Sequence, residues 1–317
     1  MSPTIRILTP LYDPSGQALE LFRICGDSVL RQRASGWKWI ISVQDLSPDY
    51  EPVMLDLKRD PRIRVVDGSA AKSLSEHLDF LLLFQSDGVN HILCQDDCYT
   101  SDKSLSTIAR VVADHHFVIL SPVHLVADVS HGNTTALQES DDACGNRLQD
   151  LTSAQQVFES VGINLLGGLS SIAWSGHREL PSMQTNLYAD IELRLRLSES
   201  LGVPTWGSLE LVGEHIWPGQ AQKSIDLRGK GEVRTWCTWR NQEGVDPLGA
   251  LRICISQGDF RLARGWYEVL SKRSRMSVST LLTVVSGVLS LAFSRRIYRR
   301  AVRRIRARRF AGELART

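Results

Sequence analysis

His91-Ile92-Leu93-Cys94-Gln95-Asp96-Asp97 is a short, largely apolar run that ends on two adjacent carboxylates. It reads as a buried strand breaking into a loop at the acidic pair. Upstream, Ile63-Arg64-Val65-Val66 reads as another strand, leading through Asp67-Gly68 into a helix over about 71–84. Before that, Trp37 opens a strand rich in bulky apolar residues that ends near Val43, and Gln44-Asp45-Leu46-Ser47-Pro48-Asp49 follows as a polar loop. Ile5-Arg6-Ile7-Leu8-Thr9 is the first strand, ended by Pro10, and Leu11-Tyr12-Asp13-Pro14-Ser15-Gly16 is dense in turn formers. Between these two strands, Leu19, Phe22, Cys25, Val29 and Leu30 recur near the helical period. The β-α-β-α-β-α-β order predicts an α/β fold with a mainly parallel sheet and helices on both faces. Ligands of such sheets sit outside the carboxyl ends of the strands, where loops carrying Tyr12-Asp13, Asp45 and Asp96-Asp97 converge.

Two neighbouring carboxylates beside an apolar core repel one another and lose hydration, so a cation or hydrogen-bond donors must compensate them. Mg²⁺ or Mn²⁺ would do so, binding through one or two carboxylates and completing the shell with phosphate oxygens and water. A nucleotide diphosphate is then the natural third partner. The sequence has neither GxGxxG nor GxxxxGK[ST] as another phosphate cradle. The competing structural reading makes Asp96-Asp97 a cap for a helix near 104–112, or a solvated turn. The six cysteines, at 25, 94, 98, 144, 237 and 254, form no CxxC pair, which predicts a reducing cytoplasm. A zinc site from His91, Cys94 and Cys98 fits no standard spacing; buried thiols in or beside a strand are the simpler reading.

The order of these pieces over roughly 4–218 resembles the family 2 inverting glycosyltransferases. Thr9-Pro10-Leu11-Tyr12-Asp13 looks like the family's first strand and its Pro-x-Tyr-Asn loop, with Asp13 for Asn. Ser28-Val29-Leu30-Arg31-Gln32 is similar to the family's Ser-Ile-Leu-x-Gln helix end. Val43-Gln44-Asp45-Leu46-Ser47-Pro48-Asp49 resembles Val-Asp-Asp-Gly-Ser-x-Asp, with Asp45 on the Asp that contacts the donor base. Cys94-Gln95-Asp96-Asp97 resembles the Asp-Gln-Asp-Asp metal motif of rhamnosyltransferase-like members. Gln44 and Cys94 each stand where the family has an Asp.

The resemblance continues at Asn186-Leu187-Tyr188-Ala189-Asp190-Ile191-Glu192-Leu193-Arg194-Leu195-Arg196-Leu197, similar to the family's Glu-Asp-x-x-Leu-x-x-Arg, with Ala189 for Glu. It implies the GT-A fold, a Rossmann-like mixed sheet flanked by helices, and metal-dependent, inverting transfer from a nucleotide-sugar to a hydroxyl acceptor. Donor contacts are implied at Thr9, Pro10, Tyr12, Asp13, Asp45 and Asp96. Metal ligands are implied at Asp97, Asp96 and His215, with Mg²⁺ or Mn²⁺ as the ion. Asp190 would deprotonate the acceptor, its pKa held low by helix amides and dipole; an N-cap is the competing reading. His215 could equally be structural. Residues 167–174 could floor an acceptor site, with Trp174 either under a sugar or in the core.

After residue 220 the resemblance fades. Residues 248–270 read as helical, broken near 258–259, with Leu251, Ile255, Leu262 and Trp266 apolar; the extension is expected over 219–275. Residues 276–293 carry no charge, which is a marginal length for a membrane span. Ser279, Thr283, Ser286, Ser290 and Ser294 stripe one side of it. Residues 272–309 hold twelve Lys/Arg and no acid, so a net charge of +2 leaves about −10 for the rest. Basic flanks on both sides favour an in-plane or re-entrant helix on an anionic membrane surface through 276–310; a span, or a solvated basic helix docking an acidic partner, is the alternative. The expectation is therefore a protein at the cytoplasmic face of the cell membrane, using a nucleotide-sugar and a lipid-linked glycan acceptor of cell-envelope polysaccharide synthesis. A catalytically degenerate relative is a second reading. Nucleic-acid binding through the tail is a third, opposed by the acidic remainder and the lack of an aromatic-basic groove.

Overall fold

The computed structural model describes residues 4–128, 133–136, 148–150, 161–162, 168–186, 188–207, 210–216, 229–257 and 259–273. The chain divides into two compact units, Met1–Gln156 with Asn164–Leu227, and Val157–Ile163 with Arg228–Thr317.

In the first unit, β1 (Ile5–Asp13), β2 (Trp37–Leu46), β3 (Ile63–Asp67) and β4 (Val89–Ile92) pair in parallel. They are joined by α1 (Leu19–Leu30), α2 (Glu51–Leu57) and α3 (Leu74–Leu82). Then follow β5 (Asp97–Tyr99), α4 (Ser104–His115), β6 (Phe117–Leu120), β7 (Val123–Asp128), β8 (Asn133–Ala136), β9 (Leu148–Asp150), β10 (Ile172–Ser175), α5 (Ala189–Leu201), β11 (Thr205–Gly207) and β12 (Val212–Ile216). One sheet has the order β3-β2-β1-β4-β10-β6-β11-β9 and a smaller one the order β5-β12-β7-β8. The expected parallel half is present. The mixed character enters with β10, antiparallel to both β4 and β6, and with β9, antiparallel to β11.

Alternation along the strands assigns the two faces. Ile7 and Leu11 of β1 and Trp37, Trp39 and Ile41 of β2 pack with Phe22, Cys25 and Val29 of α1, Leu57 of α2 and Ile108 and Val112 of α4. Leu8 and Ile40 point the other way, onto Leu78 and Leu81 of α3 and Leu193 and Leu197 of α5. Each such fully buried side chain contributes roughly 1.5–3 kcal/mol. The loop expected at 44–49 is shorter: β2 runs on to Leu46, and Ser47-Pro48 then starts a 3-10 turn and α2, a helix the periodicity did not announce. α3 starts at Leu74 because Ser73 Oγ caps Glu76 N–H, while Glu76 Oε2 accepts from the N–H of Lys72, one residue before the cap, at 2.7 Å.

The second unit contains α6 (Gly229–Gln242), α7 (Pro247–Gln257) and α8 (Phe260–Arg273). Trp236, Cys237, Leu251, Cys254, Ile255, Leu262 and Trp266 are buried. Asp259 Oδ1 accepts from Leu262 N–H at 2.9 Å, which starts α8 near the expected break. Trp266 Nε1–H donates to Val161 O at 3.1 Å within the same unit. Among the described residues no helix is long and apolar enough to cross a membrane, and 276–317 lies outside them.

Candidate active site

β1 runs on through Pro10 to Asp13, and its last residues meet the loop after β4. Tyr12 N–H donates to Gln95 Oε1 at 2.6 Å, and Gln95 Nε2 donates back to Tyr12 O at 3.0 Å. This reciprocal pair fixes the acidic turn against the first loop, and the Tyr12 side of it stays open, with Tyr12 52% exposed. Asp45 is exposed near the end of β2 and holds a φ of 43°, a left-handed conformation that costs a non-glycine residue energy and tends to occur at functional positions.

Other residues expected at the donor also build the loops. Thr9 is wholly buried; its hydroxyl donates to Leu93 O at 2.6 Å and accepts from Trp39 Nε1–H at 2.8 Å. Asp13 is buried too, accepting from Ala18 N–H at 2.7 Å, Tyr50 O–H at 3.0 Å and Ser15 O–H at 2.8 Å, so its carboxylate anchors the start of α1. Pro10 is buried in β1 opposite Ser42. The Thr9 and Asp13 side chains thus hold the loops in place.

The two carboxylates of the acidic turn differ. Asp96 is partly exposed, whereas Asp97 is buried at the head of β5. Asp97 Oδ2 accepts from Ser170 O–H at 2.6 Å, and Asp97 Oδ1 accepts from His215 N–H at 3.1 Å. The same Ser170 hydroxyl accepts from Cys94 N–H at 2.7 Å. Burial, then the charges of Asp96 and Glu214, push the Asp97 carboxyl well above the usual carboxylate range, against the bonds from Ser170 and His215. Neither carboxylate caps α4, whose N-cap is Lys103 without a side-chain bond. The structural alternative fails there, and the turn is held instead by residues distant in sequence.

His215 lies on β12, beside Glu214, which pairs with Asp97 in β5. Its Nδ1–H donates to Asp96 O at 2.5 Å, and burial lowers its pKa. With the proton on Nδ1, the ring lone pair is on Nε2, the tautomer that binds metals when a carbonyl holds the other nitrogen. Among the described residues no three His, Cys, Asp or Glu side chains form a ready metal cage. Of the donor set, the partly exposed Asp96 carboxylate fits Mg²⁺ or Mn²⁺ completed by phosphate and water, and the His215 ring beside it is wholly buried. The set does not fit zinc through His91: both its ring nitrogens are engaged, with Tyr99 O–H and with Ser170 O, each at 2.8 Å, and burial lowers it to about 4. The Cys94 thiol is pushed well above its usual value by burial, then by Asp97 and Asp96, so it is no substitute for the Asp it replaces.

Asp190 lies in the first turn of α5, which begins one residue earlier after Tyr188, so the N-cap reading is set aside. Asp190 Oδ1 accepts from Ile191 N–H at 2.9 Å. Its pKa is raised, by burial first, with Arg194 and backbone bonds opposing. The expected low value is thus reversed: desolvation exceeds the helix terminus. Trp174 is wholly buried, with Nε1–H donating to Gln85 Oε1 at 2.9 Å, so it belongs to the core and not to a sugar floor.

The sequence reading missed the side chains that bring Asp190 to this edge. β10 runs against β4, so the chain leaves it at the sheet edge opposite the acidic turn. Gly176, at φ 76°, makes the reversal, its N–H donating to Gly88 O at 2.7 Å. The segment then climbs α3 backwards: Gln85 bonds Arg178, Asp79 bonds Met183, and Ser75 bonds Asn186. Since α3 begins at the carboxyl edge of β3, this returns the chain to the edge that carries Tyr12 and Asp96. Spacing could have flagged Glu192 and Arg196 as an i,i+4 pair, but not their burial.

No protein-family model matches the sequence, and no curated protein matches it. Solved structures share its fold. S. aureus TarS 1-349 in complex with UDP-GlcNAc superposes with a TM-score of 0.53 at 9% identity, over 91% of this chain and 81% of that one. The mannosyltransferase PcManGT from Pyrobaculum calidifontis, in complex with GDP-Man and Mn²⁺, gives 0.53 at 12% identity, over 92% and 84%. At these identities the likeness is one of fold: a central, mostly parallel mixed sheet flanked by helices.

Proposed function

We propose that the chain is a glycosyltransferase that moves a sugar from a nucleotide-sugar to a hydroxyl acceptor, with inversion and with a divalent cation. The observation that carries this is the Tyr12–Gln95 closure, which sets an exposed aromatic beside the Asp96–His215 turn at the carboxyl edge of this sheet. Structures of the same fold that hold UDP-GlcNAc, or GDP-Man with Mn²⁺, support it.

Tyr12 and Asp45 would flank the nucleotide, and Asp96 and His215 would hold the cation. Bound there, Mg²⁺ or Mn²⁺ would offset charge on the departing diphosphate. Asp97 keeps Asp96 and His215 in place from beneath. Asp190, with its raised pKa, accepts the acceptor's proton as the hydroxyl attacks the anomeric carbon from the face opposite the diphosphate. The basic, apolar-led tail extends the proposal to a lipid-linked glycan acceptor of the cell envelope, worked on at the cytoplasmic membrane face.

A thermal-shift panel of UDP-, GDP-, TDP- and CMP-sugars, with and without Mn²⁺, tests the donor site. Stabilisation by one nucleotide class, strengthened by Mn²⁺ and lost in Asp96→Ala, is the expected result. Stabilisation without turnover would favour a degenerate donor-binding relative, in keeping with Gln44, whose amide is spent on Ala71 O, and with the protonated Cys94. No stabilisation by any donor would sink the proposal.

A further inference from the structure

Residues 182–186, just before α5, are held by side chains rather than by secondary structure. Glu192, wholly buried on α5, accepts from Gln184 N–H at 2.7 Å, Thr185 N–H at 2.9 Å and Thr185 O–H at 2.8 Å. Arg196, one turn further along, donates to Glu192 through Nε at 2.9 Å and to Ser182 O through Nη2 at 2.6 Å. From the other side, Asp79 of α3 receives Met183 N–H on both oxygens, each at 3.0 Å, and Asn186 Oδ1 accepts from Ser75 N–H and O–H, each at 2.9 Å. Three successive amides, 183 to 185, thus end on two carboxylates from two helices.

Core packing does not require this. Burying a carboxylate and a guanidinium costs several kcal/mol per ion before their attraction returns it, and an apolar strap over α3 would avoid that cost. What the arrangement supplies is a fixed backbone path ending four residues before Asp190. Glu192 grips the strap from the helix that bears Asp190, two residues away, so strap and candidate base move as one body.

We infer that Glu192 and Asp79 are positioning residues for the transfer reaction: they clamp 182–186 so that Asp190 meets the acceptor hydroxyl in a reactive geometry. The inference rests on Asp190 being the base of the proposed transfer. A base displaced by about 1 Å loses on the order of 100-fold in rate while ground-state binding elsewhere is unaffected, and the clamp bonds described above run among residues 75, 79, 182–186, 192 and 196.

The test uses the full chain and whichever UDP-, GDP- or TDP-sugar stabilises the wild type, reading nucleotide release with water as acceptor alongside donor Kd. Asp79→Asn, Glu192→Gln and Thr185→Val are compared with Asp190→Asn. The expected result is a kcat about 10- to 100-fold lower in Asp79→Asn and Glu192→Gln, a smaller loss in Thr185→Val, and donor Kd within twofold of wild type throughout. Should Glu192→Gln fail to fold, Asp79→Asn and Thr185→Val carry the comparison, since neither breaks the ion pair. An active wild type whose folded variants keep kcat within twofold, or lose donor affinity in step with kcat, overturns the inference and leaves the transferase reading standing. A wild type that binds no nucleotide-sugar removes both.

Discussion

Desolvation of the partly buried Asp190 carboxyl serves proton abstraction and opposes folding at neutral pH. Its folded pKa lies above the unfolded value of about 3.9. The protonated form therefore contributes stability that is fully present below about pH 4 and is lost as pH rises through the folded pKa. Asp190→Asn keeps the hydrogen-bonding oxygen for Ile191 N–H and removes the partly desolvated charge. Thermal unfolding of the variant should thus show a higher Tm than wild type at pH 7, the two converging at acid pH, while kcat falls by about 100- to 10,000-fold. A Tm that drops at pH 7 would mean that the carboxylate is stabilised by its surroundings, and the base would have to be sought elsewhere. Ser170 offers a second reading at this scale. Its wholly buried hydroxyl joins Cys94 N–H to Asp97, so Ser170→Ala leaves a buried amide and a buried carboxyl each short of a partner. Urea unfolding should show a loss of about 1–3 kcal/mol, and Mn²⁺ should stabilise the variant less than wild type, because the turn that presents Asp96 is loosened.

At the scale of elements, the buried Glu192–Arg196 pair on α5 differs from an isolated ion pair. An isolated buried pair can often be exchanged for apolar residues at little cost. Here Glu192 also ends two backbone amides of the strap, so Glu192→Leu combined with Arg196→Met strands those amides. The double variant should unfold in urea no later than Arg196→Met alone, itself destabilised by about 3–5 kcal/mol; recovery in the double variant would make the strap bonds incidental. The same elements explain what could be read from sequence. The strands at Ile5, Trp37 and Ile63 and the acidic turn at Asp96 were legible because alternation and turn formers are local signals. β10 was not, since Ile172-Ala173-Trp174 is apolar on both sides and nothing local says that it lies antiparallel between β4 and β6. Asp13, Asp97 and Glu192 all appear in sequence as acids near loops. Only tertiary packing distinguishes the buried scaffold carboxylates from the partly exposed Asp96 and the exposed Asp45, and only burial reverses the direction expected for Asp190.

Across the whole molecule, charge is divided between an acidic remainder of about −10 and the twelve Lys/Arg of 272–309. An anionic bilayer therefore attracts the tail and repels the rest. Attraction is worth about 1 kcal/mol per basic residue near the surface and decays within a Debye length, which is ~10 Å at 0.1 M salt and ~3 Å at 1 M. The uncharged 276–293 adds a term that salt does not screen. If the tail lies in the plane of the membrane, the full chain should sediment with vesicles containing phosphatidylglycerol at low salt and be partly retained at 1 M. Arg303→Glu with Arg304→Glu should weaken low-salt binding by at least ~10-fold, as two lost attractions imply. Complete release at 1 M salt would reduce the tail to a solvated basic helix, and resistance to alkaline carbonate would make 276–293 a span. A tail held instead by duplex DNA, with anionic vesicles ignored, would break the link between the membrane and a lipid-linked acceptor, while the donor site would still be tested separately by the nucleotide-sugar panel.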